Sequence, residues 1–504
     1  MKFSREALGL LSLCLFLVTS CAGTRSRALT EKIDTLSILH QSIENILQDS
    51  SLYQTRTGIK VVSLETGRVL YARDSQLLFH PVSNMKLLTT ATALKKLGTD
   101  FKFKTILYAD SVSVADSLVV GNLYLKGFAN PDLTSEDLWW MVQKLKELGI
   151  NKITGNLICD ESYLDDWYLG HGWMWDDASA WYYALISALT VNDNCVKIKV
   201  MPGTQVGDTL RYVLDPPTSY VTIENQGVTV DSSDTTQIKA FKVERKWRER
   251  ENTIVIQGGL PASHTSEEFV IEILDPALYT GTLFTELLRK ENIKFSGKVV
   301  KGVTPDSLKI LVEHQSLPIT AAIMNTNKIS DNLSAELLLK TVGAETFGPP
   351  GTAEKGLKAI KQFLFSIGVD TTSFELADGS GLSRYNVISP DHIIELLKAM
   401  YEDFRVRSEF LASLPIAGVD GTLEDRMQGT PAEGKLRAKT GSLRGVSTLS
   451  GYTTTADGEP LAFSIMMEHF VVPTERIRAV QDRIGALLSG FKHVHIKATT
   501  DHIN

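Results

Sequence analysis

Cysteine is scarce in this chain of 504 residues, with four copies in all. Cys14 and Cys21 lie near the N-terminus, so only Cys159 and Cys195 fall in the body of the chain. There is no C-x-x-C, and no His/Cys cluster has the spacing of a zinc site. The pairing of Cys159 with Cys195 stays open, because a disulfide needs a geometry that spacing alone does not supply. His171 and the tail histidines His493, His495 and His502 read as surface residues rather than metal ligands. Positive charge is also in deficit. The formal net charge is -7 and no basic face is clustered, which argues against nucleic acid as a partner. After residue 21 no apolar run is long enough to span a membrane. Internal repeats and low-complexity runs are absent.

The composition is that of an ordinary globular protein, 43% hydrophobic and 22% charged. The length calls for two or three domains rather than one core. Residues 1–21 have the pattern of an export signal. Lys2 and Arg5 precede an apolar core over 7–18, too short for an ordinary transmembrane helix. Val18-Thr19-Ser20-Cys21 then resembles a bacterial lipobox, which predicts a lipid anchor on Cys21.

The body of the chain is organised around Ser83-Asn84-Met85-Lys86. Leu87, Leu88, Ala91, Leu94 and Leu97 recur at helical spacing, and Gly98 is a suitable stop. Lys86 therefore sits nearly one turn after Ser83 and points to the same side. A serine hydroxyl needs a neighbouring base to become a good nucleophile. A lysine serves as that base when burial or a nearby cation lowers its pKa. Alone, the pair is a weak signal, since serine and lysine are common, and it reads first as a helix cap followed by a solvated lysine.

Upstream, 36–52 reads as a helix, and 57–64 with 69–73 as a β-hairpin. From about 105 to 313 short Val/Ile/Thr-rich runs are broken by Gly, Pro, Asn and Asp, with one helix near 138–148. The charge-dense stretch 242–251 reads as a solvated strand face. Helical periodicity returns after Pro318, with Ile319, Ala322, Ile323 and Thr326 on one face. Ser330-Asp331-Asn332 then precedes a second helical run over 333–340, which places it at a helix–helix corner. The loop 378–384 is rich in Gly and Ser but lacks the Lys-Ser/Thr ending of a P-loop. A helix is expected from Pro390 to about Tyr401. Lys439-Thr440-Gly441-Ser442 leads into alternating runs over 446–452 and 461–467, the pattern of antiparallel strands.

Ser-x-x-Lys, Ser-Asp-Asn and Lys-Thr-Gly, in that order, form the set found in class A β-lactamases and penicillin-binding proteins. The chain resembles that group. More narrowly it resembles the D-alanyl-D-alanine carboxypeptidase/endopeptidase family of the penicillin-binding protein 4 type. The narrower likeness rests on GFANPDL (127–133), SALTVNDNC (187–195), DGSGLSR (378–384), RAKTGSLRG (437–445) and the long insertion between Lys86 and Ser330. The resemblance implies an α+β fold, a penicillin-binding-protein/β-lactamase-like transpeptidase fold with an antiparallel sheet and helices. Residues 30–100 with 314–495 would form the catalytic domain, and 101–313 a β-rich insertion.

The same resemblance assigns roles. Ser83 is the nucleophile, Lys86 takes its proton, and Ser330 relays a proton to the leaving D-alanine within reach of Lys86 and Lys439. Asn332 holds the substrate amide. Lys439 and Thr440 meet the terminal carboxylate, and Lys439 keeps Lys86 neutral. Gly441 admits the substrate backbone, and the N–H groups of Ser83 and Ser442 form the oxyanion hole. Arg384 and an acid from the insertion grip a diaminopimelate side chain. Asp166 is taken as that acid, ahead of Asp165, in a segment that also holds Asp160, Asp176 and Asp177. The implied partners are peptidoglycan peptides, β-lactams as covalent inhibitors, and a membrane through Cys21; no cofactor is implied.

Two other readings stand beside this one. A β-lactamase would need a deacylation base, and no Glu-x-x-x-Asn lies between the second and third motifs. A non-catalytic wall-binding lipoprotein would be expected to have lost a motif residue, and none is missing.

Overall fold

The computed structural model describes residues 35–113 and 117–492. The export signal and lipobox expected over 1–21, with Cys21, and the histidines His493, His495 and His502 lie outside the described residues.

Two ends of the chain build one antiparallel sheet. Its order is Arg437–Leu443, Val446–Thr454, Pro460–Glu468, Arg56–Ser63 and Val69–Arg73. The N-terminal strand Arg56–Ser63 is thus inserted between its own hairpin partner and a strand from near the C-terminus. One face is covered by Thr35–Leu47 and Thr474–Gly490, through Leu39, Ile43, Ile477 and Ile484. The expected helix over 36–52 stops at Leu47. A short 3₁₀ turn, Ser50–Leu52, follows because the Asp49 carboxylate accepts the Ser51 N–H. The other face carries a helical layer that includes Met85–Leu97, Ile319–Lys328, Asn332–Phe347, Ala353–Ser366 and Pro390–Glu402. Leu87, Leu88, Ile323, Leu338, Ile360 and Ile394 are buried together there.

Between these halves the chain leaves along Lys102–Ser113 and returns along Lys309–Pro318, paired antiparallel. That strand pair carries the boundary to Pro318, beyond 313. These strands belong to a seven-stranded sheet. Two small three-stranded sheets and one two-stranded sheet complete the insertion. Its core is separate, with Leu125, Met141, Ile198, Ile256 and Phe284 buried together. A third contact layer joins insertion to helices, where Ala129, Tyr163 and Ile186 pack on Leu333 and Leu337.

The stretch 242–251 is not wholly solvated. The Arg245 and Glu272 side chains are both 2% exposed and form an ion pair, because Arg245 points inward from its strand onto the neighbouring Glu267–Glu272. Cys159 and Cys195 are both free and buried. Among the described residues no helix is long and apolar enough to cross a membrane.

Candidate active site

Ser83 lies in a 3₁₀ turn, Val82–Asn84, that runs directly into the helix Met85–Leu97. The turn is pinned to the sheet beneath it. Asn84, fully buried, donates to Ser450 Oγ at 2.8 Å, and Thr448 Oγ1 donates to the Pro81 carbonyl at 3.0 Å. Val82 has φ +50°, a rare conformation for a β-branched residue, and such strain persists only where the surroundings enforce it. They do so here through Gly381. A Cβ on Gly381 would lie 1.7 Å from the Val82 carbonyl oxygen, so only glycine lets the 378–384 loop close on this turn.

Lys86 is fully buried, and its Nζ lies 3.1 Å from Ser83 Oγ. It donates to Asn332 Oδ1 at 2.6 Å and to the Ser380 carbonyl at 2.8 Å. Both of those oxygens only accept. A neutral amine has two N–H bonds and one lone pair, so with both carbonyls served the lone pair faces the Ser83 hydroxyl. Burial pulls Lys86 down to about 8, against the opposing fields of Asp331, Asp378 and Glu336. Burial is the largest cause that favours the neutral amine. The two buried lysines also repel each other, and burial, then Lys86, holds Lys439 well below the usual lysine range.

Ser330 sits at the corner between Ile319–Lys328 and Asn332–Phe347 with φ +67°. Asp331 caps the second helix, its carboxylate accepting from Leu333 N and Ser334 N. Lys439 Nζ donates to Ser330 Oγ at 2.9 Å. The implied link from Ser330 to Lys86 is not among the hydrogen bonds of the described residues, since three other partners surround the Lys86 amine. Asn332 Nδ2 donates to the Tyr182 carbonyl of the insertion at 2.8 Å. Gly441 brings its strand against the turn, where an added Cβ would lie 3.1 Å from Ser83 N and 2.2 Å from Thr448 Oγ1. Thr440 Oγ1 donates to Thr422 Oγ1 at 2.8 Å.

One cleft of about 760 Å³ gathers Ser83, Ser330, Asn332, Arg384 and Ser442. A smaller recess at its end brings Thr440 and Gly441 together with Arg426 and Arg478. Asp166 is not in the cleft. It lines a separate cavity with Trp175 and Trp247. The reason is local. Lys340 holds Asp165 at 2.6 Å and the Trp167 carbonyl at 2.6 Å, which fixes the backbone on either side of Asp166. The acids that do line the cleft are Asp176 and Asp177, delivered by the 3₁₀ turn Trp175–Asp177.

Residue patterns alone did not single out Glu336. It is fully buried, one turn after Asn332, and its Oε1 accepts from Gly379 N at 2.9 Å and Ser380 N at 2.8 Å. Burial and the nearby Asp378 carboxylate push it up to about 7. Asp378 folds the rest of the loop, accepting from Gly381 N and Ser383 N, each at 2.8 Å. Together the two acids present the Ser380 carbonyl to Lys86. The available signal was a carboxylate within an otherwise apolar helical run.

A hydroxyl with a buried amine beside it, and a second serine held by a second buried lysine, has the layout of a serine acyl-transfer centre. The comparisons with known proteins agree. The family model for D-Ala-D-Ala carboxypeptidase 3 (S13) matches residues 39–489. A D-alanyl-D-alanine carboxypeptidase of Actinomadura sp. (strain R39) is 35% identical over 470 residues, covering 90% of this chain and 85% of that protein. The D-alanyl-D-alanine carboxypeptidase DacB of Haemophilus influenzae is 29% identical over 414 residues, covering 81% and 84%. The crystal structure of penicillin binding protein 4 from Haemophilus influenzae superposes with a TM-score of 0.77 at 25% identity, covering 88% of this chain and 97% of that one. The chain belongs to the D-Ala-D-Ala carboxypeptidase 3 (S13) family. Its fold is α+β, of the penicillin-binding protein 4 kind.

Proposed function

We propose that the protein is a serine-type D-Ala-D-Ala carboxypeptidase, with DD-endopeptidase action on cross-links, that works on peptidoglycan stem peptides. The observation that carries this is the Lys86 amine, buried and 3.1 Å from Ser83 Oγ, with its two N–H bonds directed at other acceptors. Ser83 Oγ attacks the carbonyl carbon of the penultimate D-alanine while its proton passes to Lys86. The N–H groups of Ser83 and Ser442 receive the oxyanion. As the C–N bond breaks, Ser330 delivers a proton to the leaving amine and is resupplied from the lysines. Water then hydrolyses the Ser83 ester. Asn332 orients the peptide amide, and Lys439 with Thr440 meets the carboxylate next to the scissile bond. Arg384 with Asp176 or Asp177 holds the polar end of the third residue.

The family favours this reading over a β-lactamase or a non-catalytic binder. Penicillins would acylate Ser83 and stay bound, for want of a placed deacylation base. The leader supports export, and the lipobox supports anchoring through Cys21, which Cys21→Ala would abolish in a membrane fractionation.

The test uses purified protein without residues 1–21 and a muropeptide pentapeptide. Free D-alanine appears with the native enzyme and not with Ser83→Ala. Mass spectrometry after brief penicillin exposure locates the added mass on the Ser83 peptide. Equal D-alanine release by Ser83→Ala would overturn the assignment.

A further inference from the structure

A second cavity, of about 700 Å³, opens on the inserted region. That is within the roughly 300–1,000 Å³ of small-molecule sites. Trp167, Trp175 and Trp247 line it, with Arg248, Arg250 and Asp166 beside them. Trp175 is 69% exposed and Trp167 61%. The Trp175 and Trp247 rings stand 5.4 Å apart, inclined at 51°. The Arg248 guanidinium lies 4.8 Å from the centre of the Trp247 ring. At one wall, Arg245 and Glu272 neutralise each other in their buried ion pair. Arg248, Arg250 and Asp166 enter no ion pair among the described residues, so their hydrogen-bonding groups are available to a ligand.

Large aromatic rings contribute most when they are covered, so leaving several in water beside polar groups marks a surface kept for a ligand. The chemistry selects the kind. A pyranose has C–H faces that stack on indole and a periphery of hydroxyl and acetamido groups that need donors and acceptors. Indoles bordered by guanidinium groups and a carboxylate meet both needs.

Position narrows it further. The segment 174–178 is a partition. Met174, Asp176 and Asp177 line the Ser83 cleft, while Trp175 and Ala178 line the second cavity. One backbone turn therefore separates a site for stem peptide from a site with the chemistry of a sugar, and in peptidoglycan every stem peptide is bonded to a strand of N-acetylated amino sugars. We infer that the tryptophan-lined cavity binds the glycan strand of the polymer whose stem peptide enters the cleft. This rests on the function proposed above.

The experiment compares two substrates, a sugar-free pentapeptide and intact peptidoglycan, with native enzyme, Trp175→Ala and Arg248→Ala. Tryptophan fluorescence is titrated with a tetramer of N-acetylglucosamine. The expected result is unchanged kcat/KM on the peptide and a loss of about tenfold on the polymer, about 1.4 kcal/mol, in both variants. The tetramer quenches native fluorescence and slows only the polymer reaction. Unchanged polymer activity in both variants, or no response to the tetramer, overturns the inference. Should Trp175→Ala lose penicillin labelling through misfolding, Arg248→Ala decides by the same comparison. A native enzyme inert on the pentapeptide that still binds the tetramer would instead reject the proposed function and leave the sugar site standing.

Discussion

The Asn332 carboxamide is bonded on its two sides to two parts of the molecule: Oδ1 accepts from Lys86, and Nδ2 donates to the Tyr182 carbonyl at 2.8 Å. Tyr182 lies in the inserted region, so the insertion helps to orient the side chain that holds the Lys86 amine beside Ser83. The inserted region is therefore part of the reaction centre's framework rather than an appendage to it.

The acid limb of acylation should report Lys86. The base must be neutral to accept the Ser83 proton, so the rate rises with pH through about 8 and falls below it. Glu336→Gln removes a carboxylate whose field favours protonated Lys86, so it should move this limb to lower pH. The measurement is the second-order rate of penicillin acylation over about pH 5 to 10, inside the ordinary carboxylate and lysine values and across the shifted ones of Glu336, about 7, and Lys86, about 8. A limb that does not move in Glu336→Gln would separate the observed pKa from Lys86.

Ser330→Ala should slow D-alanine release by about 10²- to 10⁴-fold, the usual range for one proton-transfer group. It should also leave Lys439 Nζ with one hydrogen-bond partner fewer, since that amine now donates to Ser330 Oγ. Stopped-flow acylation with a β-lactam, beside peptide turnover, checks both.

Asp176→Asn, Asp177→Asn and Arg384→Ala should each be compared with Asp166→Asn. At least one acid variant and the arginine variant should raise KM about tenfold for a stem peptide carrying diaminopimelate. Asp166→Asn should leave this peptide's KM unchanged, because Asp166 lies outside the cleft. A KM change in Asp166→Asn alone would return the role to the residue first expected.

Gly381→Ala should be among the most damaging small changes outside the motifs. Its φ is +87° and its added carbon would overlap the Val82 carbonyl. The conformational cost alone is about 1–3 kcal/mol. Thermal unfolding should show a lowered midpoint, and penicillin labelling should fall as the nucleophile turn relaxes.

The three motifs were legible because acyl transfer needs particular side chains at particular spacings, and Ser83 with Lys86 needed only one helix to bring them together. Helical periods over 85–97 and 319–326 were equally plain, although only Ile319–Lys328 buries a single stripe, and residues 85–94 of the nucleophile-side helix are buried all round. The choice among five aspartates was not legible, because it turns on how Lys340 tethers the backbone around Asp166. Parallel pairing of Thr222–Asn225 with Thr253–Gln257 was likewise hidden, as register between separated strands is fixed by packing rather than by either segment.

The strand order has one more consequence. Arg56–Ser63 finds its second neighbour only in Pro460–Glu468, and Lys439 arrives on Arg437–Leu443, two strands earlier in the chain and at the far edge of the same sheet. A ribosome makes Ser83 long before Lys439, so a growing chain carries the serine without that partner. A chain cut short before residue 437 would keep Ser83 and Lys86 and lack the strand that brings Lys439 to them.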